Sequence, residues 1–232
     1  MPEIVKLAKM ISKLPFSAAK FYDVLAAAPL IFLYATGIVV RLVPDMETDA
    51  RSLPSPGAWV HLARDATSIL YFSLIIFLVF IRCMPVAKSA GLLPRAVALA
   101  GAYMAIGRGL LPFAHLPVVF DAAAAAMTLL GTILSIIVLV RLGAAFSILP
   151  EARKLVTDGP YGIVRHPLYV AEEIGNIGVV AQFAEPWSLL IEIASIAMQL
   201  WRISFEERVL TRAFPEYAAY AARTRRLIPG VY

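Results

Sequence analysis

The chain has 232 residues, 60% of them hydrophobic and only 16% charged, with a mean hydropathy of +0.78. These values exclude an ordinary soluble domain and point to an integral membrane protein, since several apolar runs reach the roughly 20 residues a bilayer-spanning helix needs. The formal charge of +5 falls in short loops between those runs, where orientation signals and anionic headgroups account for it, so membrane lipids are expected partners and nucleic acid is not.

In chain order, residues 1–21 read as a basic amphipathic segment on a membrane surface, with Ile4, Leu7, Ile11 and Leu14 at helical spacing. No signal-peptide cleavage pattern is visible there. A first span is expected at about 24–43. Residues 44–66 carry Pro44, Pro54 and Pro56 among Asp45, Glu47 and Asp49 and read as an exposed polar loop. Further spans follow at about 67–84, 92–113 and 118–141. After a polar stretch come two shorter apolar segments, about 168–183 and 187–204, separated by Ala184-Glu185-Pro186 as in a helical hairpin. A basic amphipathic tail runs from Phe205 to Tyr232.

The fold class is therefore all-α, a polytopic membrane protein with about six transmembrane helices and a C-terminal hairpin. It divides into residues 1–145, an amphipathic segment and four spans, and 146–232, the region that carries chemistry. Lys and Arg concentrate in alternate loops, which by the positive-inside rule puts both termini, the central loop and the tail on the cytoplasmic side.

Leu155 to Tyr169, LVTDGPYGIVRHPLY, is the polar stretch around which the rest is organised. Gly159-Pro160 signals a turn, and Pro167 pushes His166 out of the helical region while opening a helix at its own position. Tyr161, Arg165, His166 and Tyr169 are thereby presented at the mouth of a membrane helix. A second polar group, Arg202 and Glu206 in WRISFEERVL, shares one helix face at i and i+4. An ordinary helical salt bridge is one reading of that pair. A cation and an anion projecting together beside the loop, one for a substrate and one for a cofactor, is the other.

Glu172 and Glu173 enter the hairpin where a carboxylate is costly, so either one faces the site or both stay at headgroup depth and pair with Arg165 or Arg202. Arg108 and Asp121 read as a pair at the outer ends of adjacent spans, and His61 and His115 as solvated loop residues. Cys83 reads as a packing residue. It allows no internal disulfide, and with three scattered histidines no metal site is expected.

GPYGIVRHPLY, followed about 35 residues later by Arg-x-x-x-Glu-Glu and then by FPEYAAYAARTRRLIP, resembles the isoprenylcysteine carboxyl methyltransferase family of integral membrane enzymes. The wider group includes the phospholipid N-methyltransferases. The likeness runs from Phe146 to Pro229. It departs from the family pattern after the RHPxY motif, where Ala171 stands in place of Gly.

The resemblance implies S-adenosylmethionine (S-adenosyl-L-methionine) as cofactor, held without a Rossmann domain. Arg153, Lys154, Leu155 and Val156 would line the strip before the turn, with Tyr161 against the cofactor. His166, Pro167, Leu168 and Tyr169 would form the main wall, and Glu206 the acidic contact. Arg202 and Glu173 would meet the substrate, while Arg165 and Glu207 would support Arg202 and Glu206 in the catalytic set.

The acceptor implied is a lipophilic or prenylated molecule, first a carboxylate of the isoprenylcysteine type and alternatively a phospholipid amine. An NADPH-dependent membrane reductase with a similar hairpin, or a non-enzymatic transporter or scaffold, are the competing classes. A transporter would place polar residues mid-membrane in two related halves. This chain gathers them in its C-terminal half.

Overall fold

The computed structural model describes residues 18–53, 56–104, 108, 111–112, 114–183 and 186–231. Most of the expected N-terminal amphipathic segment, part of the third span's end and Ala184-Glu185 of the hairpin turn lie outside the described residues.

Helix α1 (Ala18–Leu25) precedes α2 (Ala28–Gly37), which passes through one wide turn (Ile38–Leu42) into α3 (Val43–Arg51). Then come α4 (Pro56–Ile81), a short strand β1 (Ala87–Lys88), α5 (Leu93–Met104) and α6 (Val118–Leu142). Strand β2 (Glu151–Ala152) pairs antiparallel with β1. Helices α7 (Pro167–Ala181), α8 (Trp187–Ala213) and α9 (Tyr217–Arg223) complete the chain.

Among the described residues, four stretches are long and apolar enough to cross a membrane: Ala28–Arg51, Gly57–Ile81, Val118–Ala145 and Trp187–Ala213. Helices α5 and α7, with 12 and 15 residues, fall short of that length. Large apolar side chains such as Phe32, Val40, Val118, Val119 and Ile137 point outward, as lipid contact permits.

The segment 44–66 is not the exposed loop expected from its three prolines. It is helical on both sides of 54–55. Pro44 falls in the first turn of α3, where a missing N–H costs little, and the wide turn just before it takes up the mismatch. The extra length of α8 has a related cause: its apolar run ends near Ser204, but the amphipathic sequence beyond keeps the helix going to Ala213.

Small residues decide how the helices meet. Ala124, Thr128 and Gly131 of α6 face Ala171, Gly175 and Gly178 of α7. A Cβ at Gly131 would overlap the Gly175 backbone, and one at Gly178 would overlap Ala124 O. Thr128 also donates to Gly175 O at 3.4 Å. Such close approach replaces the hydrophobic drive that lipid does not provide between helices. Ala171 is buried in this contact, so a methyl group is accommodated where the family pattern has Gly.

Helix α7 thus lies chiefly on α6, and α8 lies chiefly on α5. The two hairpin arms touch each other much less, and a cavity occupies the space between them. On the other side, Leu30 of α2 and Ile75, Leu78 and Val79 of α4 close a core with Leu139 and Phe146.

Gly178→Val should lower the thermal unfolding midpoint of the detergent-solubilised protein, by the equivalent of about 1–3 kcal/mol for overpacking. Gly37→Ala, which would meet nothing within 4 Å, should leave it unchanged or raise it slightly. Equal shifts for the two variants would contradict the close α6–α7 contact.

Candidate functional site

The cavity measures about 470 Å³ and is walled by the loop 145–166, by α7 and α8, by α9, and by Tyr34, Tyr71, Phe72 and Ile75 from the N-terminal helices. Its loop end is built from the motif residues. Asp158 leads into a tight turn, Gly159–Gly162, and Arg141 reaches Asp158 at 3.1 Å. Gly159 has φ +59°, a left-handed conformation that Gly adopts without strain, and Arg141 packs where a side chain would be.

That turn buries Tyr161, whose carbonyl accepts from the Tyr220 hydroxyl at 2.6 Å. Burial pushes the Tyr161 phenol well above its ordinary range, and the nearby Glu206 charge adds to the effect. Tyr161 therefore stays protonated at any ordinary pH. The next residues run beside the tail, with Arg165 N donating to Arg225 O at 2.7 Å and His166 N to Arg226 O at 3.0 Å. Pro167 opens α7 directly after His166, as its rigid ring favours.

Helix α8 supplies two neighbouring carboxylates that point to different tasks. Glu206 faces the cavity. Its Oε1 accepts from Tyr169 Oη and from Arg202 Nε, both at 2.7 Å, and His166 Nδ1 is 3.9 Å from its Oε2. The His166 and Tyr169 rings stack at 5.7 Å, and the Arg202 guanidinium lies 5.3 Å from the Tyr169 ring centre. Glu207 lies off the cavity. It accepts from Arg165 Nε at 2.8 Å and from Arg226 Nε at 3.0 Å, with His166 Nε2 3.3 Å away. Arg165 also donates to Ala221 O and Thr224 O, so it staples the tail to the loop.

Of the sequence-derived site residues, Arg153, Lys154, Leu155, Val156, Tyr161, Arg165, His166, Leu168, Tyr169, Glu173, Arg202 and Glu206 all line this cavity. Pro167 and Glu207 do not. Glu207 is occupied by three basic side chains and serves as the clamp that holds loop and tail on α8. Arg153 reaches the wall, but its guanidinium is turned away to Asp23 (2.7 Å), Glu151 (2.7 Å) and Cys83 O.

The same Asp23 accepts from Arg82 Nε at 2.8 Å, while Lys20 donates to Arg82 O. Burial works to raise the Asp23 carboxyl, yet hydrogen bonds and charge from Arg153 and Arg82 hold it below the usual carboxylate range. This buried cluster ties α1 to the strip 151–156.

Several wall residues were not among those expected. Tyr217 and Tyr220 approach from α9, and the aromatic spacing of the FPEYAAY tail was the signal for them. Tyr34, Tyr71 and Phe72 had no such signal, being apolar-run residues like any other. Tyr71 donates to Glu172 at 2.8 Å, so Glu172 as well as Glu173 faces the cavity and pairs with neither Arg165 nor Arg202.

Three peripheral expectations are corrected. Arg108 pairs with Glu192 (2.9 Å) and not with Asp121. Asp121 instead meets His61 at 3.0 Å on the helical surface. Cys83 lies just past the end of α4 and is exposed, not packed.

A model of the phospholipid methyltransferase family matches residues 120–217. Among curated proteins, the chain is 41% identical over 76 residues to the cobalt-zinc-cadmium resistance protein CzcN of Cupriavidus metallidurans, covering 32% of this chain and 35% of that one. It is 36% identical over 80 residues to the nickel-cobalt-cadmium resistance protein NccN of Alcaligenes xylosoxydans xylosoxydans, covering 34% and 38%. Protein-S-isoprenylcysteine O-methyltransferase B of Arabidopsis thaliana is 33% identical over 116 residues, covering 45% and 57%. The chain therefore spans from about a third to just over half the length of these relatives. The family match takes in the loop, both hairpin arms and Tyr217, but not Asp23, Tyr34, Tyr71 or Arg108.

Because the folded pKa of Asp23 is depressed, its stabilising contribution is present above its unfolded pKa of about 3.9 and is lost as pH falls through the lower folded value. Asp23→Asn should cost about 3 kcal/mol at pH 7 by leaving Arg82 uncompensated and Arg153 with Glu151 alone. The difference from wild type should shrink below about pH 4. A gap that is constant from neutral to acid pH in thermal unfolding would contradict the ion cluster.

Proposed function

We propose that the protein is a membrane-embedded methyltransferase, a reading supported by the phospholipid methyltransferase model that matches residues 120–217 and by the likeness to an isoprenylcysteine O-methyltransferase. It uses S-adenosylmethionine and acts on a lipophilic acceptor from the face that carries the loop and tail, the cytoplasmic one by loop charge. The observation that carries this reading is the convergence of His166, Tyr169, Arg202 and Glu206 on one cavity beside Tyr161, Tyr217 and Tyr220.

The cavity's residues fit the cofactor chemically. Its volume is within the range of sites for molecules of this size, about 300–1,000 Å³. Aromatic faces from His166, Tyr169, Tyr217 and Tyr220 suit an adenine and attract a sulfonium. The buried Tyr217 hydroxyl, without a partner among the described residues, is available to a polar ligand group. Glu206 suits hydroxyl or ammonium donors. When bound, the cofactor supplies an electrophilic methyl group on sulfur.

The protein's own residues then have a positioning task more than an acid–base one. In-line transfer needs the reacting atoms aligned at about 3–3.5 Å and partly stripped of water. Tyr169 and Glu206 fix the Arg202 guanidinium from two sides and its Nη2 donates to Ser147 O at 3.4 Å, which leaves the other Nη N–H groups to orient an acceptor carboxylate. A carboxylate is already ionised at pH 7 and needs no base. Tyr34, Tyr71 and Phe72 close the wall opposite α8 with aromatic surface and exclude water.

A second reading rests on Glu172 and Glu173. Their presence on the wall brings carboxylates beside Arg202 and favours an amine acceptor of the phospholipid type.

Purified protein in detergent should bind S-adenosylhomocysteine, and His166→Ala or Glu206→Ala should weaken that binding about tenfold or more, as loss of a charge-assisted contact implies. Arg202→Ala should abolish turnover while changing that affinity less than about threefold, the profile of a group that holds the acceptor. Unchanged calorimetric binding in both cavity variants would sink the pocket, and equal loss of binding and turnover at Arg202 would remove its acceptor role. The pH profile separates the two acceptors. Turnover that is flat between about pH 6 and 8 is expected for a carboxylate, whereas a rate that climbs with pH marks an amine, which reacts only when deprotonated.

A further inference from the structure

The cavity continues beyond the point where donor and acceptor groups would meet. On α8, Ser195, Gln199, Arg202 and Glu206 follow one another at spacings of four, three and four, so they share one face, and all four line the cavity. Glu172, Glu173 and Asn176 of α7 stand opposite as a second polar row. A hydrocarbon tail would not be matched by two polar rows.

At the far end stands Arg108, only 1% exposed and part of the cavity wall. Its Nη2 is 2.9 Å from Glu192 Oε2, while its Nε and Nη1 have no hydrogen-bond partner among the described residues. The buried Ser195 hydroxyl is likewise without a partner among them. The Arg108 guanidinium and the Glu192 carboxylate balance each other in charge.

A pure helix-to-helix clamp would bury such an ion pair among packed side chains. Here Arg108 and Ser195 form part of the cavity wall with buried donors to spare, and a buried donor left without an acceptor is costly. Along α8, Ser195 and Glu192 stand seven and ten residues before Arg202, which is about 10–15 Å along the helix axis.

We propose, resting on the methyl-acceptor reading above, that this far chamber is a subsite for a second, uncharged polar group of the acceptor, a hydroxyl or carbonyl held by Arg108 and Ser195. The acceptor is then an amphiphile with two polar ends about 10–15 Å apart and not a plain prenyl or alkyl chain. Electroneutrality of the Arg108 set selects an uncharged group. The spare N–H donors select one that offers an oxygen.

The test compares dodecanol with the matching α,ω-dodecanediol, titrated into the full-length protein in lipid nanodiscs with calorimetric detection. Neither probe carries an acid or an amine, so the comparison does not depend on which of these is methylated. The wild type should bind the diol about tenfold tighter, the gain expected of one hydrogen bond to a charged group. Arg108→Met should bind both alike, and Ser195→Ala, a milder change, should narrow the preference. S-adenosylhomocysteine affinity should stay within about twofold in both variants, since neither residue is at the loop end. Equal affinity of the wild type for the two alcohols, binding of neither, or a preference that survives in both variants would overturn the subsite. A diol preference without S-adenosylhomocysteine binding would leave the subsite standing and remove the methyltransferase reading instead.

Discussion

Two adjacent carboxylates on one helix hold the site together. Successive residues of a helix point about 100° apart, and here that turn sends Glu206 and Glu207 to different surfaces. Glu206 turns into the cavity and gathers Tyr169, Arg202 and His166 around one oxygen-rich point. Glu207 turns out and binds Arg165 and Arg226, with His166 beside it. Without the second, the loop and the tail would have no common anchor on α8. Without the first, the three side chains it gathers would have no shared partner. His166 touches both, which couples the clamp to the cavity through one imidazole.

A membrane setting explains why the site is built this way. An open aqueous cofactor domain would have to extract its acceptor from lipid, whereas a cavity between two splayed helices can admit one sideways. Opening that gap removes helix contacts on one side, and the structure offsets the loss by bringing the outer contacts very close. Gly131, Gly175 and Gly178 let α7 sink onto α6, so the hairpin arm is fixed from behind and leaves its polar face free. The buried Asp23–Arg82–Arg153 cluster does the same for the strip that leads into the motif turn, and it does so from α1, outside residues 120–217 that the family model matches.

The sequence made the loop end legible because its signals are local. Gly159, Pro160 and Pro167 dictate the turn and the helix start within a few residues, and Arg202–Glu206 follows from helical spacing alone. What it hid were partnerships across long sequence distance. Arg108 looked like a mate for Asp121 because both fall at the outer ends of neighbouring apolar runs. It pairs with Glu192 because α5, which leads into it, packs on α8 and not on α6. Arg153 read as a cofactor contact by motif, yet a residue 130 positions earlier claims its charge. Three prolines argued for a loop at 44–66, where a wide turn and a first-turn proline keep most of the segment helical. Tyr34 and Tyr71 illustrate a further limit: within an apolar run, nothing local says which residue will face a cavity.

The central claim is that loop, hairpin and tail enclose one donor molecule at the Glu206 end of the cavity. Ultraviolet cross-linking of radiolabelled S-adenosylmethionine to the purified protein, followed by peptide mapping, addresses it most directly. The account places the label on peptides spanning Tyr161–Tyr169 and on those from Arg202 to Tyr220, with unlabelled cofactor competing it away. Label confined to the helices before residue 145, or none that unlabelled cofactor displaces, would contradict it.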